Sequence, residues 1–140
     1  MNNKPGILAR PYIESSDYEI IRGWWLSRGL NDYVVPADCL PPTGVVAVSE
    51  GVLCCASWLE ISKYSKLGMI GNVVSNPEIS GRLRVKSIEI CFDRLIVMAK
   101  AEGVKSLLGH FSENGLLKLL KRRGFSQHPI PMMEVEKRIG

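Results

Sequence analysis

Two apolar runs, Gly44–Ser49 and Val52–Ile61, are separated only by Glu50-Gly51. So short a connection obliges the runs to pair antiparallel, as a hairpin with a two-residue turn. Ser62–Ser65 makes a second turn, after which Lys66–Val74, rich in Gly, Ile and Val, reads as a third antiparallel strand. Gly68 and Gly71 within that run predict a bulge or a close backbone approach. The apolar period then changes. Ile88, Cys91, Phe92, Leu95, Ile96 and Ala99 mark one face of a helix running to about Glu102, with Gly103 as its C-terminal cap. Lys105–Phe111 follows as a buried strand. A strand–helix–strand unit from Lys66 to Phe111 calls for a right-handed crossover and two neighbouring parallel strands.

The flanks complete an α+β pattern. Ile7–Pro11 reads as a first strand, and Ser16-Asp17-Tyr18-Glu19 as a capping box that opens a helix. Ile20, Ile21, Trp24, Trp25 and Arg28 continue at helical spacing, and Gly29 is the expected stop. Asn31–Pro42 is rich in turn formers and reads as loop with room for a short helix. Ser112 and Asn114 offer caps for a last helix, Leu116–Arg123, closed by Gly124. Phe125–Val135 is expected to finish the sheet, interrupted by Pro129 and Pro131. With no repeat, low-complexity tract or interior linker, residues 1–140 are expected to form one domain.

Bulk properties narrow the function classes. The 140 residues are 46 % hydrophobic and 23 % charged, ordinary for a globular chain able to bury a core. A net charge of +4 favours an anionic small molecule and is weak support for nucleic acid, and no aromatic–basic interleaving is present. Cys39, Cys54, Cys55 and Cys91 form no C-x-x-C, so metal-ligand spacing is absent. The first residues hold no sustained apolar core and no apolar run approaches membrane-spanning length. No signal peptide, no membrane span and a reduced, cytoplasmic setting are therefore expected.

The stretch Ser75–Ile90, SNPEISGRLRVKSIEI, places Arg82, Arg84 and Lys86 where a loop enters the long helix. A helix start carries partial positive charge and ordinarily favours Asp and Glu. Cations there are explained by an anionic ligand, or by side chains that point away into water. In open α/β sheets, ligands gather beyond the carboxyl end of a strand beside a helix start, because backbone N–H groups point outward there.

From Asn72 to Phe125 the order is strand, Pro77, a basic loop, a long helix with Ala99-Lys100 and Gly103-Val104, strand, Asn114, helix and Gly124-Phe125. This ordered set resembles the GNAT family of acetyl-CoA-dependent N-acetyltransferases, particularly its short, divergent phage-type members. The resemblance implies a mixed, mainly antiparallel sheet of about six to seven strands flanked by helices. It implies acetyl-CoA as cosubstrate and no metal. Backbone groups at Val73, Val74 and Ser75 would take the pantetheine arm, and the loop through Gly81, Arg82, Leu83, Arg84, Val85, Lys86 and Ser87 the pyrophosphate, with Asn114 near the arm. The family's common Q/R-x-x-G-x-G/A loop falls on Ser80, Leu83 and Val85, all altered. The shorter Pro-spacer-R-x-x-A form fits better, as Arg84-Val85-Lys86-Ser87 with Ser for Ala.

Catalytic groups are sparser. The acid that many family members place four residues before the Gly-Phe is a tyrosine; here the place holds Leu120. Glu60, late in its strand, is the nearest carboxylate for a base, or else a strand-end group facing solvent. His110, at the end of its strand, is a base if it faces the cleft, or else a hydrogen-bonded core histidine. Tyr64 and Ser112 are weaker candidates. Trp24, Trp25 and Tyr33 lie on the acceptor side in this family, with at least one tryptophan in the core. Lys118, Lys121, Arg122 and Arg123 make a solvated helix face, or a surface for the CoA 3′-phosphate or an acidic partner. The rival reading is a degenerate domain of this fold that grips a host or phage protein. A homodimer is compatible with either reading.

Overall fold

The computed structural model describes residues 6–109, 111, 114–129, 137 and 139. Their order is β1 (Leu8–Pro11), α1 (Glu14–Ser27), two short 3-10 turns (Asn31–Tyr33 and Ala37–Cys39), β2 (Thr43–Ser49), β3 (Val52–Ile61), β4 (Leu67–Ser75), α2 (Gly81–Ala101), β5 (Ser106–Gly109) and α3 (Asn114–Lys121). The strands lie in one sheet in the order β1-β2-β3-β4-β5. The first four pair antiparallel, and β5 runs parallel to β4 after the crossover through α2. At the β2–β3 turn Glu50 and Gly51 take φ of 50° and 76°, the left-handed pair that a tight hairpin requires. The chain divides into two compact units, Met1–His110 and Phe111–Gly140.

The sheet has five strands among the described residues, against the six to seven expected. In the segment predicted to complete it, residues 125–129 are not strand, and residues 130–136 lie outside the described part. Pro129 fits this outcome, since proline has no N–H for a ladder.

The first helix also starts differently. It begins at Glu14, and Ile13 is its N-cap without a side-chain cap bond. Asp17 satisfies the helix start instead. Its carboxylate accepts the Ile13 N–H at 2.8 Å and a two-pronged ion pair from Arg10 of β1 at 2.7 and 2.8 Å. Burial of Asp17 (1 % exposed) opposes its charge, but the bonds from Arg10, Ile13 and Ser16, with the Arg10 charge, hold the carboxyl below the usual carboxylate range.

The two sheet faces are covered by different helices. On one, Ile21, Trp24 and Trp25 of α1 pack with Val46, Ala56, Trp58 and Val74. Trp25 stacks on Trp58 at 6.4 Å between ring centroids, and Tyr12 meets Trp58 edge-on at 5.1 Å. Both Trp24 and Trp25 are thus core, which removes them as substrate-lining groups; Tyr33 is exposed. On the other face Ile88, Cys91, Phe92, Leu95 and Ala99 of α2 are buried, as are the alternate strand residues Val45, Cys55, Leu59 and Ile70. Among the described residues no helix is long and apolar enough to cross a membrane.

In the second unit, α3 ends where Gly124 takes φ 89° and the Phe125 N–H donates to the Leu120 carbonyl. This matches the predicted Gly stop.

Candidate functional site

β4 and β5 pair only from Leu67↔Ser106 to Ile70↔Gly109. From Gly71 to Ser75, the backbone of β4 on its β5 side has no strand partner among the described residues. Strand groups without a ladder partner are open to other donors and acceptors.

A bulge marks where the edge opens. Trp58 opposes Gly71 and Ala56 opposes Val74, so Ser57 faces both Asn72 and Val73. Asn72 takes φ 57°, a conformation that Asn tolerates better than most residues. Ser57 Oγ donates to the Gly71 carbonyl at 3.2 Å across the bulge. The extra residue re-aims the strand, and Val74 joins the α1-side core. The predicted irregularity is therefore real, and it falls one residue beyond the second glycine.

Beyond β4 the chain turns tightly into α2. Asn76 Nδ2 donates to the Leu53 carbonyl at 3.0 Å, and its Oδ1 accepts the Glu78 N–H at 2.9 Å. Ser80 is the N-cap, its Oγ accepting the Leu83 N–H at 3.2 Å. The helix begins at Gly81, earlier than expected, so Arg82, Leu83, Arg84, Val85, Lys86 and Ser87 are helical and not loop. Its first N–H groups, at Gly81 and Arg82, project from the start without intrahelical acceptors.

A helical start separates the three cations. At 3.6 residues per turn Arg82 and Lys86 differ by about 40° around the axis, with Arg84 about 160° from each. Arg82 and Lys86 border a depression of about 500 Å³ with Ser80, Leu83, Ile7 and Ser49, which no β4 residue lines. Arg84 shares the phase of Ser87 and Cys91, which are buried. Its Nε is buried with no hydrogen-bond partner among the described residues. An orphaned guanidinium nitrogen in the first turn of a helix with open N–H groups is suited to an anionic oxygen. Ser87 is turned inward, its Oγ donating to the Leu83 carbonyl at 2.6 Å.

One further cation reaches this region, unmarked by local pattern. Arg28, just past α1, donates from Nη2 to Ser75 Oγ at 3.1 Å, bringing a charge to the end of β4. It occupied a helical position in the first helix, and only the tertiary pairing exposes its place.

The proposed catalytic groups fall unevenly. Glu60 is exposed and opposite Met69, on the sheet face that also carries Trp58. Tyr64 is 96 % exposed in the β3–β4 turn. Leu120 is buried in the second unit. His110, Ser112 and the Asn114 side chain lie outside the described residues. Cys55 offers no nucleophile, because a hydrogen bond with Cys91 and burial push its thiol up and keep it protonated.

No family model and no curated protein sequence matches the chain. Solved structures do. A GCN5-related N-acetyltransferase from Ralstonia eutropha superposes with TM-score 0.68 at 21 % identity, covering 96 % of this chain and 99 % of that one. An acetyltransferase from Trypanosoma brucei gives TM-score 0.66 at 14 % identity, over 94 % and 100 % of the two chains. An aminoglycoside N-acetyltransferase solved with CoA gives 0.65 at 11 % identity, over 99 % of each. The chain has the GNAT acetyltransferase fold.

Proposed function

We propose that the chain is an acetyl-CoA-dependent N-acetyltransferase that moves an acetyl group to an amine by direct transfer in a ternary complex. One observation carries this reading: the β4 edge, without a strand partner among the described residues, leads through a capped turn to a helix start with free N–H groups and the Arg84 Nε, which no described residue partners. A long ligand with polar amides at one end and phosphates at the other matches that sequence of groups. CoA in the structure of the aminoglycoside N-acetyltransferase supports it at the level of the fold.

In this reading the backbone at Val73, Val74 and Ser75 takes the pantetheine arm. The backbone N–H groups of Gly81 and Arg82 and the Arg84 guanidinium take the pyrophosphate, with the neighbouring Leu83, Val85 and Lys86 completing the first turns of the helix. Acetyl-CoA supplies an activated thioester. The acceptor ammonium gives one proton to Glu60, directly or through water. The freed amine bonds the acetyl carbon as the C–S bond breaks, leaving the CoA thiolate, and the nitrogen sheds its second proton to water. No phenol stands at Leu120 to protonate the thiolate, but a thiol pKa of about 8.5 makes it an adequate leaving group near neutral pH. General acid–base help contributes roughly 10²–10⁴-fold, whereas alignment of the reactants can supply about 7–11 kcal/mol. An enzyme resting mainly on alignment suffices.

Thermal unfolding with acetyl-CoA tests the reading. At a ligand concentration of 100 Kd, stabilisation of about 2.7 kcal/mol is expected, a rise in Tm on the order of 5–10 °C. No shift at millimolar acetyl-CoA overturns it and favours the rival, a protein-binding domain of the same fold, for which the missing phenol at Leu120 is the supporting observation.

A further inference from the structure

The sheet face under α1 is only partly covered. Trp58 is buried beneath Trp25, but the pairing carries the same face onward through Glu60 opposite Met69 and Leu108 beside Met69. Met69 is 36 % exposed and Leu108 42 %, with Leu67 exposed next to them. A Cβ built on Gly71, the residue facing Trp58, meets nothing within 4 Å. Glu60 is exposed and makes no ion pair with any described residue. The result is an apolar floor with one carboxylate. It runs directly into Asn72 and Val73, the bulge where β4 loses its β5 partner.

Resting on the acetyltransferase reading above, we propose that this floor receives the acceptor, and that the acceptor is a primary amine with a single positive charge on an apolar body. Glu60 faces the ammonium, while Met69, Leu108 and the open space over Gly71 take an aryl or branched alkyl group. Charge balance excludes richer cations. The second and third ammonium groups of a polyamine or an aminoglycoside would lie over Met69 and Leu108 with no counter-charge from the sheet, an uncompensated desolvation. Lys63 and Lys66, in the turn beyond Glu60, repel them further.

The test uses the full chain, acetyl-CoA, and two probe amines, 2-phenylethylamine and spermidine. Acetyl-CoA binding is measured first by calorimetry, then thiol release with each amine. 2-Phenylethylamine is expected to exceed spermidine in kcat/KM by roughly tenfold or more, the scale on which apolar contacts discriminate. Met69→Glu should narrow or reverse that ratio with the acetyl-CoA Kd unchanged, and Leu108→Glu, on a separate strand, should do the same. Wild-type preference for spermidine, turnover of neither amine by protein that binds acetyl-CoA, or an unchanged ratio in both variants overturns this inference alone. Absence of acetyl-CoA binding overturns the transferase reading and this one with it.

Discussion

Gly44 lies opposite Trp58 in the β2–β3 pairing, and a single methyl group there would sit 2.5 Å from Trp58 Nε1 and 2.9 Å from Tyr12 Cβ. Neither neighbour can yield easily, since Trp58 is held by Trp25 on its face and Tyr12 at its edge. Gly44→Ala is expected to cost about 1–3 kcal/mol through overpacking, read as a lower urea midpoint with unchanged slope. Tyr12 in the same cluster predicts the opposite behaviour. Its hydroxyl and the Trp58 Nε1 are buried without partners among the described residues, and burial pushes the phenol up to about 12. Removing an unsatisfied polar atom forfeits no hydrogen bond, so Tyr12→Phe should be neutral or stabilising. A loss of stability in Tyr12→Phe larger than in Gly44→Ala would show that the Tyr12 hydroxyl stabilises the cluster.

Among the elements, the hairpin, the crossover and the long helix were legible because each depends on local pattern: Glu50-Gly51 for the turn, a change of period at Ile88, and Gly103 as a stop. The start of α1 was not. Ser16-x-x-Glu19 is a sound local cap, but Arg10 and Asp17 meet across the β1–α1 junction, and that pairing moves the start to Glu14. The start of α2 is not legible for a related reason. Its apolar stripe begins at Ile88, yet the Ser80 cap winds the basic residues into the helix. Their helical phase now separates roles that the linear sequence merges. Arg84→Glu is expected to weaken acetyl-CoA binding by tenfold or more, as charge-assisted bonds to phosphate contribute roughly 1.5–3 kcal/mol. Lys86→Glu, on the flank facing Ile7 and Ser49, should change it only severalfold through long-range charge. Calorimetric titration of the two variants checks this, and equal losses would mean that the helix phase does not order the site.

For the molecule as a whole, acid tolerance turns on the β1–α1 junction. The chain already carries a net charge of +4 at neutral pH, so protonating carboxylates adds to self-repulsion. Asp17 adds a specific contribution, because its carboxyl is held below the usual range in the folded state. A depressed folded pKa means that the unfolded chain binds the proton more readily. Its stabilisation is therefore complete above the unfolded value, about 3.9, and disappears as the pH falls through the lower folded value. Arg10 is 34 % exposed on its side of the pair, which screens the charge term and leaves about 1–3 kcal/mol for the junction as a whole. Asp17→Asn should lower stability by that amount at pH 7, and the deficit should shrink as acid titrates the wild-type carboxyl. Urea unfolding of both proteins at stepped pH values measures the gap directly, and a deficit that holds constant down to the lowest pH at which both still fold would show that packing, not the ionised Asp17, fastens β1 to α1.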